Sequence, residues 1–219
     1  GYPIAEVNKP GQLVLTKTKH LGGLVTTQSV KEQLFYEIHD PGSYITPDVV
    51  ADFSNITVEQ VGKDRVLLQG VRGKPRPDKL KLCIGYSEGY RNIAYLPYSW
   101  PDALEKAQTA AKVLMKRLED KNLKAENVAV DFLGLNALHG PLAHEMKQEL
   151  NEVVLRIAIK TKTKEEAEKL SPEIAPFILN GPPGACFFGG RTKPAEVFAL
   201  WPTLIPRDAV KLEAMVEEV

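Results

Sequence analysis

The chain has 219 residues, 43% of them apolar and 26% charged, which is the balance of a globular protein with a hydrophobic core. Lys+Arg and Asp+Glu number 28 each, so no net field favours nucleic acid or an anionic membrane surface. Two cysteines, Cys83 and Cys186, are too few for a disulfide scaffold and fit a reducing, cytoplasmic compartment, and no apolar run approaches the ~20 residues that span a bilayer.

Taken in order, residues 3–7 and 12–17 read as short strands joined by the Asn8-Lys9-Pro10-Gly11 turn. After Gly22-Gly23, Thr26 or Thr27 can cap a helix reaching about Ile38, with Val30, Leu34 and Ile38 as its apolar stripe. Residues 48–53 read as a buried strand or an extended segment. Alternation from Ile56 to Gly70 around Gly62-Lys63-Asp64 predicts a hairpin. Arg72 to Pro77 reads as a basic connector, and a second hairpin is expected over 79–86 and 90–98, turning at Ser87-Glu88-Gly89.

Ser99-Trp100-Pro101-Asp102 opens the longest predicted helix, ending near Lys121, with Leu104, Ala107, Ala111, Leu114 and Leu118 on its buried face. A strand over 127–133, a helix from Pro141 to about Leu150 and a strand over 153–160 follow. Thr163 then caps a helix that Pro172 and Pro176 interrupt. Residues 195–200, a bend at Trp201-Pro202 and a terminal helix from about Pro206 complete the chain. Hairpins first, alternating strands and helices later, predict an α+β fold with a mixed sheet, in a hairpin-rich lobe (1–100) and an α/β lobe (101–219), or as one continuous domain.

Two stretches concentrate groups that can do chemistry. Residues 22–54 carry Glu32, His39, Asp40 and Asp48 between glycines and prolines. A His beside carboxylates suits proton transfer, although acids in such positions also serve as turn acceptors. The loop 180–191 is rich in glycine and ends in arginine: Gly181, Gly184 and Gly190 allow close backbone approach to an anion, and Arg191 can clamp a carboxylate or phosphate. Cys186 is its one nucleophile candidate, a thiol that equally serves as a small apolar filler. Such loops also route backbone past a neighbouring domain. His20, His39, His139 and His144 make no metal-ligand spacing, and no phosphate-loop, dinucleotide or serine-elbow motif is present, so neither metal nor cofactor is expected.

The residues Gly1-Tyr2-Pro3-Ile4-Ala5-Glu6-Val7, Gly22-Gly23-Leu24-Val25, Lys31 through Ile38, Asp40-Pro41, Tyr44, Thr46 through Phe53, Gln60 through Val66 and Gly70 through Pro77 together resemble the AtuA-like, or acyclic terpene utilisation, family. Gly181 through Gly190 is the best later match, the rest being looser. The resemblance implies the C-terminal half of a longer family pattern, whose N-terminal half would be a separate subunit or a severed part. It further implies a place in the catabolism of citronellol- and geraniol-like terpenoids, which runs through acyl-CoA intermediates. No catalytic residue is carried over. The expected function is an enzyme half handling an acyl-CoA or carboxylate substrate in a cleft completed by that N-terminal partner, within an oligomer. The alternative is a non-catalytic assembly subunit whose loops dock a partner chain.

Overall fold

The computed structural model describes residues 2–9, 11–145, 148–211 and 213–217. It confirms an α+β architecture of antiparallel sheets and a few helices. The chain forms two compact units, one of residues 1–84 with 202–219, the other of residues 85–201.

In the first unit, β1 (Ile4–Val7), β2 (Leu13–Thr16), β5 (Thr57–Gly62) and β6 (Arg65–Gln69) form an antiparallel sheet in the order β1-β2-β6-β5. Pro10, in the turn expected between β1 and β2, lies outside the described residues. The helix α1 (Thr27–Leu34) has a capping box: Thr26 accepts from the Ser29 amide, and the Ser29 hydroxyl accepts from the Thr26 amide. Its Val30 is buried with Val25, Val66 and Leu68, so the apolar stripe read from the sequence is the face that packs. The helix stops at Leu34, short of Ile38, because Glu37 takes a left-handed backbone (φ 59) that no helix continues through. A small sheet follows, β3 (Tyr44–Ile45), β4 (Val50–Asp52) and β7 (Arg72–Lys74), in that order. The expected connector at Arg72 is therefore partly a strand, held by pairing with β4.

The predicted hairpin over 79–98 is not formed. Residues 79–99 make one strand, β8 (Lys79–Ser99), of 21 residues. Gly89 is a left-handed kink (φ 97) rather than a turn, and a Cβ there would sit 2.3 Å from the Thr161 carbonyl oxygen. From Tyr90 onward β8 pairs with β10 (Glu152–Thr161), so the residues expected to fold back are held straight. The chain passes between the two units inside β8 and again inside β11 (Ala195–Pro206). The bend expected at Trp201-Pro202 is likewise absent.

In the second unit the order is β11-β8-β10-β9, with β9 covering Ala125–Leu133. Counting α2 (Ala103–Asp120) and the broken helical segment α3 (Lys164–Glu168), α4 (Leu170–Ile174) and α5 (Pro176–Asn180), the topology is β-α-β-β-α-β, the ferredoxin-like arrangement. Alternate residues of β10, namely Val153, Leu155, Ile157 and Ile159, are buried against Ala107, Ala111, Leu114 and Leu118 of α2. Period two on the strand and period 3.6 on the helix thus meet in one core. Thr163 caps α3 by accepting from the Glu166 amide, as expected. The helix expected from Pro141 to Leu150 is only a 3₁₀ turn, Gly140–Leu142, in its described part, since residues 146 and 147 lie outside it. The terminal helix expected from Pro206 is similarly reduced to a 3₁₀ turn, Arg207–Ala209, with residues 212, 218 and 219 outside the description. Among the described residues no helix is long and apolar enough to cross a membrane.

Candidate functional site

Each unit carries a hollow lined by some of the residues singled out above. In the second unit, three attachments shape the segment after α5. The Cys186 amide donates to the Pro97 carbonyl at 3.0 Å, lacing the chain to the β8 edge. Phe188 packs its ring on Tyr95, with centroids 5.7 Å apart and planes tilted by 51°. Thr192 is tied to Ser171 at the start of α4: the Ser171 hydroxyl donates to the Thr192 carbonyl at 2.6 Å and lies 2.8 Å from its hydroxyl. Between these attachments and α4 lies a hollow of about 500 Å³. Tyr95, Ile174, Phe187 and Phe188 give it apolar walls, and Arg191 is the charged residue among those lining it.

A guanidinium beside aromatic rings, in a space of that size, is a site for an anionic group on an apolar body. Among the described residues no carboxylate lies within 4.0 Å of Arg191, so its donors are free for a ligand. Gly190 lines the same hollow, and neighbouring Gly189 takes a left-handed backbone (φ 83). The other residues of the expected anion set stand elsewhere. Gly181 ends α5, where a Cβ would meet the Phe177 carbonyl oxygen at 2.6 Å, so glycine is required there by packing. Gly184 (φ 88) turns the chain toward β8, and Cys186 is exposed with its thiol free.

In the first unit, His39 and Asp40 line a smaller hollow of about 270 Å³. Lys81 from the start of β8, Tyr44 from β3, and Thr203 and Leu204 from the returning end of β11 complete its wall. Asp40 turns one carboxylate oxygen to the Gly42 amide at 2.9 Å, an Asx turn that fixes its orientation. Arg207 holds this part of the unit together by donating to the carbonyls of Pro47 and Pro77, the latter at 3.1 Å. Glu32 and Asp48 are not among the residues lining it. Glu32 is exposed on α1, and Asp48 is exposed in the turn where Thr46 exchanges hydrogen bonds with Val49. Asp52 accepts from the Ser54 amide at 3.0 Å and pairs with Lys74, and these contacts, the Ser54 bond first, hold its carboxyl below the usual value.

A histidine, a carboxylate and an ammonium around one hollow can move a proton and steady a negative charge. The sequence singles out His39, Asp40 and Arg191 as site candidates and Tyr44 only as part of the family resemblance, whereas Lys81, Tyr95, Ser171 and Thr192 sit in no motif. Phe187 and Phe188 stand out only as neighbours of the glycine pair. Among the described residues no group of three His, Cys, Asp or Glu side chains is placed to hold a metal ion.

A sequence model of the family described as "Acyclic terpene utilisation family protein AtuA" matches residues 1–216. No curated protein and no solved structure matches the chain.

Proposed function

The chain belongs to the AtuA family of acyclic terpene utilisation proteins, and from that premise we propose that it holds the acyl group of an acyclic terpenoid acid, free or as its coenzyme A thioester, in the hollow of the second unit. One observation supports this above the rest: Arg191 is the charged residue lining a space of about 500 Å³ whose walls are mostly apolar, with the hydroxyl residues Ser171 and Thr192 beside it. A branched hydrocarbon chain is favoured there by about 25 cal/mol per Å² of apolar surface removed from water. Its carboxylate or thioester carbonyl meets the guanidinium. His39 and Asp40 are assigned proton transfer within the first unit's own, separate hollow, and a subunit carrying the N-terminal part of the family pattern is the expected partner.

The test is calorimetric titration of the chain with citronellate, citronellyl-coenzyme A and citronellol. Acid and thioester should bind more tightly than the alcohol, and Arg191→Leu should weaken the acid by about 10- to 100-fold, the loss of a charged hydrogen bond. Equal affinity for acid and alcohol in the unaltered chain would refute the reading. Turnover by the assembled protein then assigns His39: full activity in His39→Ala removes it from proton transfer.

A second reading, an assembly subunit without catalysis, is favoured by Phe198 and Leu200. These residues lie on one face of β11 and are 69% and 70% exposed. Sedimentation of Phe198→Ser with the partner subunit tests that face, and what distinguishes the second reading is that it alone expects Arg191→Leu and His39→Ala to leave turnover of the assembled protein unchanged.

A further inference from the structure

We propose that Ser171, held by buried Asn92, positions Arg191 and so sets the preference of the hollow for anionic over neutral ligands. The inference rests on the acyl-binding reading above and assigns to Ser171 and Thr192, which line the hollow with Arg191, the holding of the guanidinium.

Asn92 is 1% exposed and lies on the helix-facing side of β8. Its amide nitrogen donates to the Ala167 carbonyl at 2.9 Å and to the Ser171 hydroxyl at 3.1 Å. Those two bonds fix which way the amide faces, because a carbonyl oxygen can only accept. Ser171 Oγ then has a single proton to give. It goes to the Thr192 carbonyl at 2.6 Å, the shortest of its contacts. The 2.8 Å contact between the two hydroxyls must therefore run the other way, from Thr192 Oγ1–H to Ser171 Oγ. Ser171 accepts twice and donates once, so every bond in the cluster has one allowed direction.

The cluster grips Thr192 by both its backbone and its side chain, one residue after Arg191. On the other side, Phe188 is seated on Tyr95. Only Gly189, Gly190 and Arg191 lie between these two anchors, and a Cβ added at either glycine would meet nothing within 4 Å. That short span has no packing of its own to hold it. Loss of the Thr192 anchor would leave Arg191 on a pair of open glycines, and the guanidinium would pay the ordering entropy at each binding event.

The test compares Ser171→Ala with the unaltered chain in two measurements. Tryptic cleavage after Arg191 should be at least about ten times faster in the variant than in the unaltered chain, since one anchor of the segment is gone. Affinity for decanoate should fall about 5- to 20-fold while affinity for decanol stays within about two-fold, because only the guanidinium has lost its place. Thr192→Ser, which keeps the hydroxyl, should behave as unaltered chain, and Thr192→Val should fall between. A merely structural role predicts that acid and alcohol weaken together, and that outcome overturns the proposal. So does unchanged tryptic cleavage after Arg191 in Ser171→Ala, a result that needs no ligand. If the unaltered chain instead shows no preference for decanoate while tryptic cleavage responds as expected, the acyl-binding reading has failed and the preference claim falls with it. The anchoring of the segment would stand.

Discussion

Tyr98 offers the sharpest test of the core energetics. Its ring is 1% exposed on the face of β8 that packs under α2, and its hydroxyl has no hydrogen-bond partner among the described residues. Burial alone pushes the phenol up to about 12 from its ordinary 10.0. Tyr98→Phe removes the polar atom and keeps the ring. An unpaired buried hydroxyl costs about 1–3 kcal/mol, so the variant should be more stable by about 1–2 kcal/mol after loss of the oxygen's dispersion contacts. For a chain of this size that is roughly 2–8 °C in melting temperature. The pH dependence has a definite sign. A phenol whose folded pKa lies above its unfolded value keeps its full contribution below pH 10, and loses it as pH rises through the interval from 10 to about 12. Two pKa units are about 2.7 kcal/mol at most, and the variant should lack that share of the alkaline fall. Urea denaturation followed by circular dichroism at neutral pH and at pH 11, with the slope checked for constancy, measures both. A destabilised Tyr98→Phe would show that the hydroxyl is satisfied in the folded protein and refute the reasoning.

Further expectations concern other parts of the chain. Gly89→Ala places a methyl 2.3 Å from the Thr161 carbonyl in a left-handed backbone, and should cost at least about 2 kcal/mol by denaturation, whereas Gly134→Ala, with φ 93 but open space, should cost only about 1 kcal/mol. Glu173 is 4% exposed and paired with Arg117 at 2.7 Å. Glu173→Ala should destabilise by up to about 3 kcal/mol, less than a fully buried pair because Arg117 is half in solvent, and Arg117→Met with Glu173→Leu should recover most of it. The Glu166 carboxyl is held below 4.5 chiefly by Lys169, then by the Lys124 amide. Its contribution is present above pH 4.5 and is lost as pH falls through the lowered value, so Glu166→Gln should flatten the acid limb of a stability profile.

Much of the fold could be read locally. The stripe Ala107, Ala111, Leu114 and Leu118 needs only the helical period, and the buried alternation of β10 needs only the strand period. Thr26 and Thr163 announced their helices because capping is settled within four residues. The hairpin expected at Ser87-Glu88-Gly89 failed for the opposite reason. A glycine at a bend and a glycine at a close approach look the same in sequence, and what separates them here is the Thr161 carbonyl, 72 residues away. The same holds at the candidate sites. His39, Asp40 and Arg191 were visible as residue types, but their neighbours were not.

By itself the sequence determined the class of fold, the faces of the main helix and strands, and membership of a family, because propensity, period and matched runs are properties of neighbouring residues. Tertiary structure alone decided that Thr203 and Leu204 come back to the hollow of His39 and Lys81, and that Ser171 holds the residue next to Arg191. Those placements follow from strand pairing and helix packing between segments far apart in the chain. Their energy depends on which groups meet, and no local pattern records that.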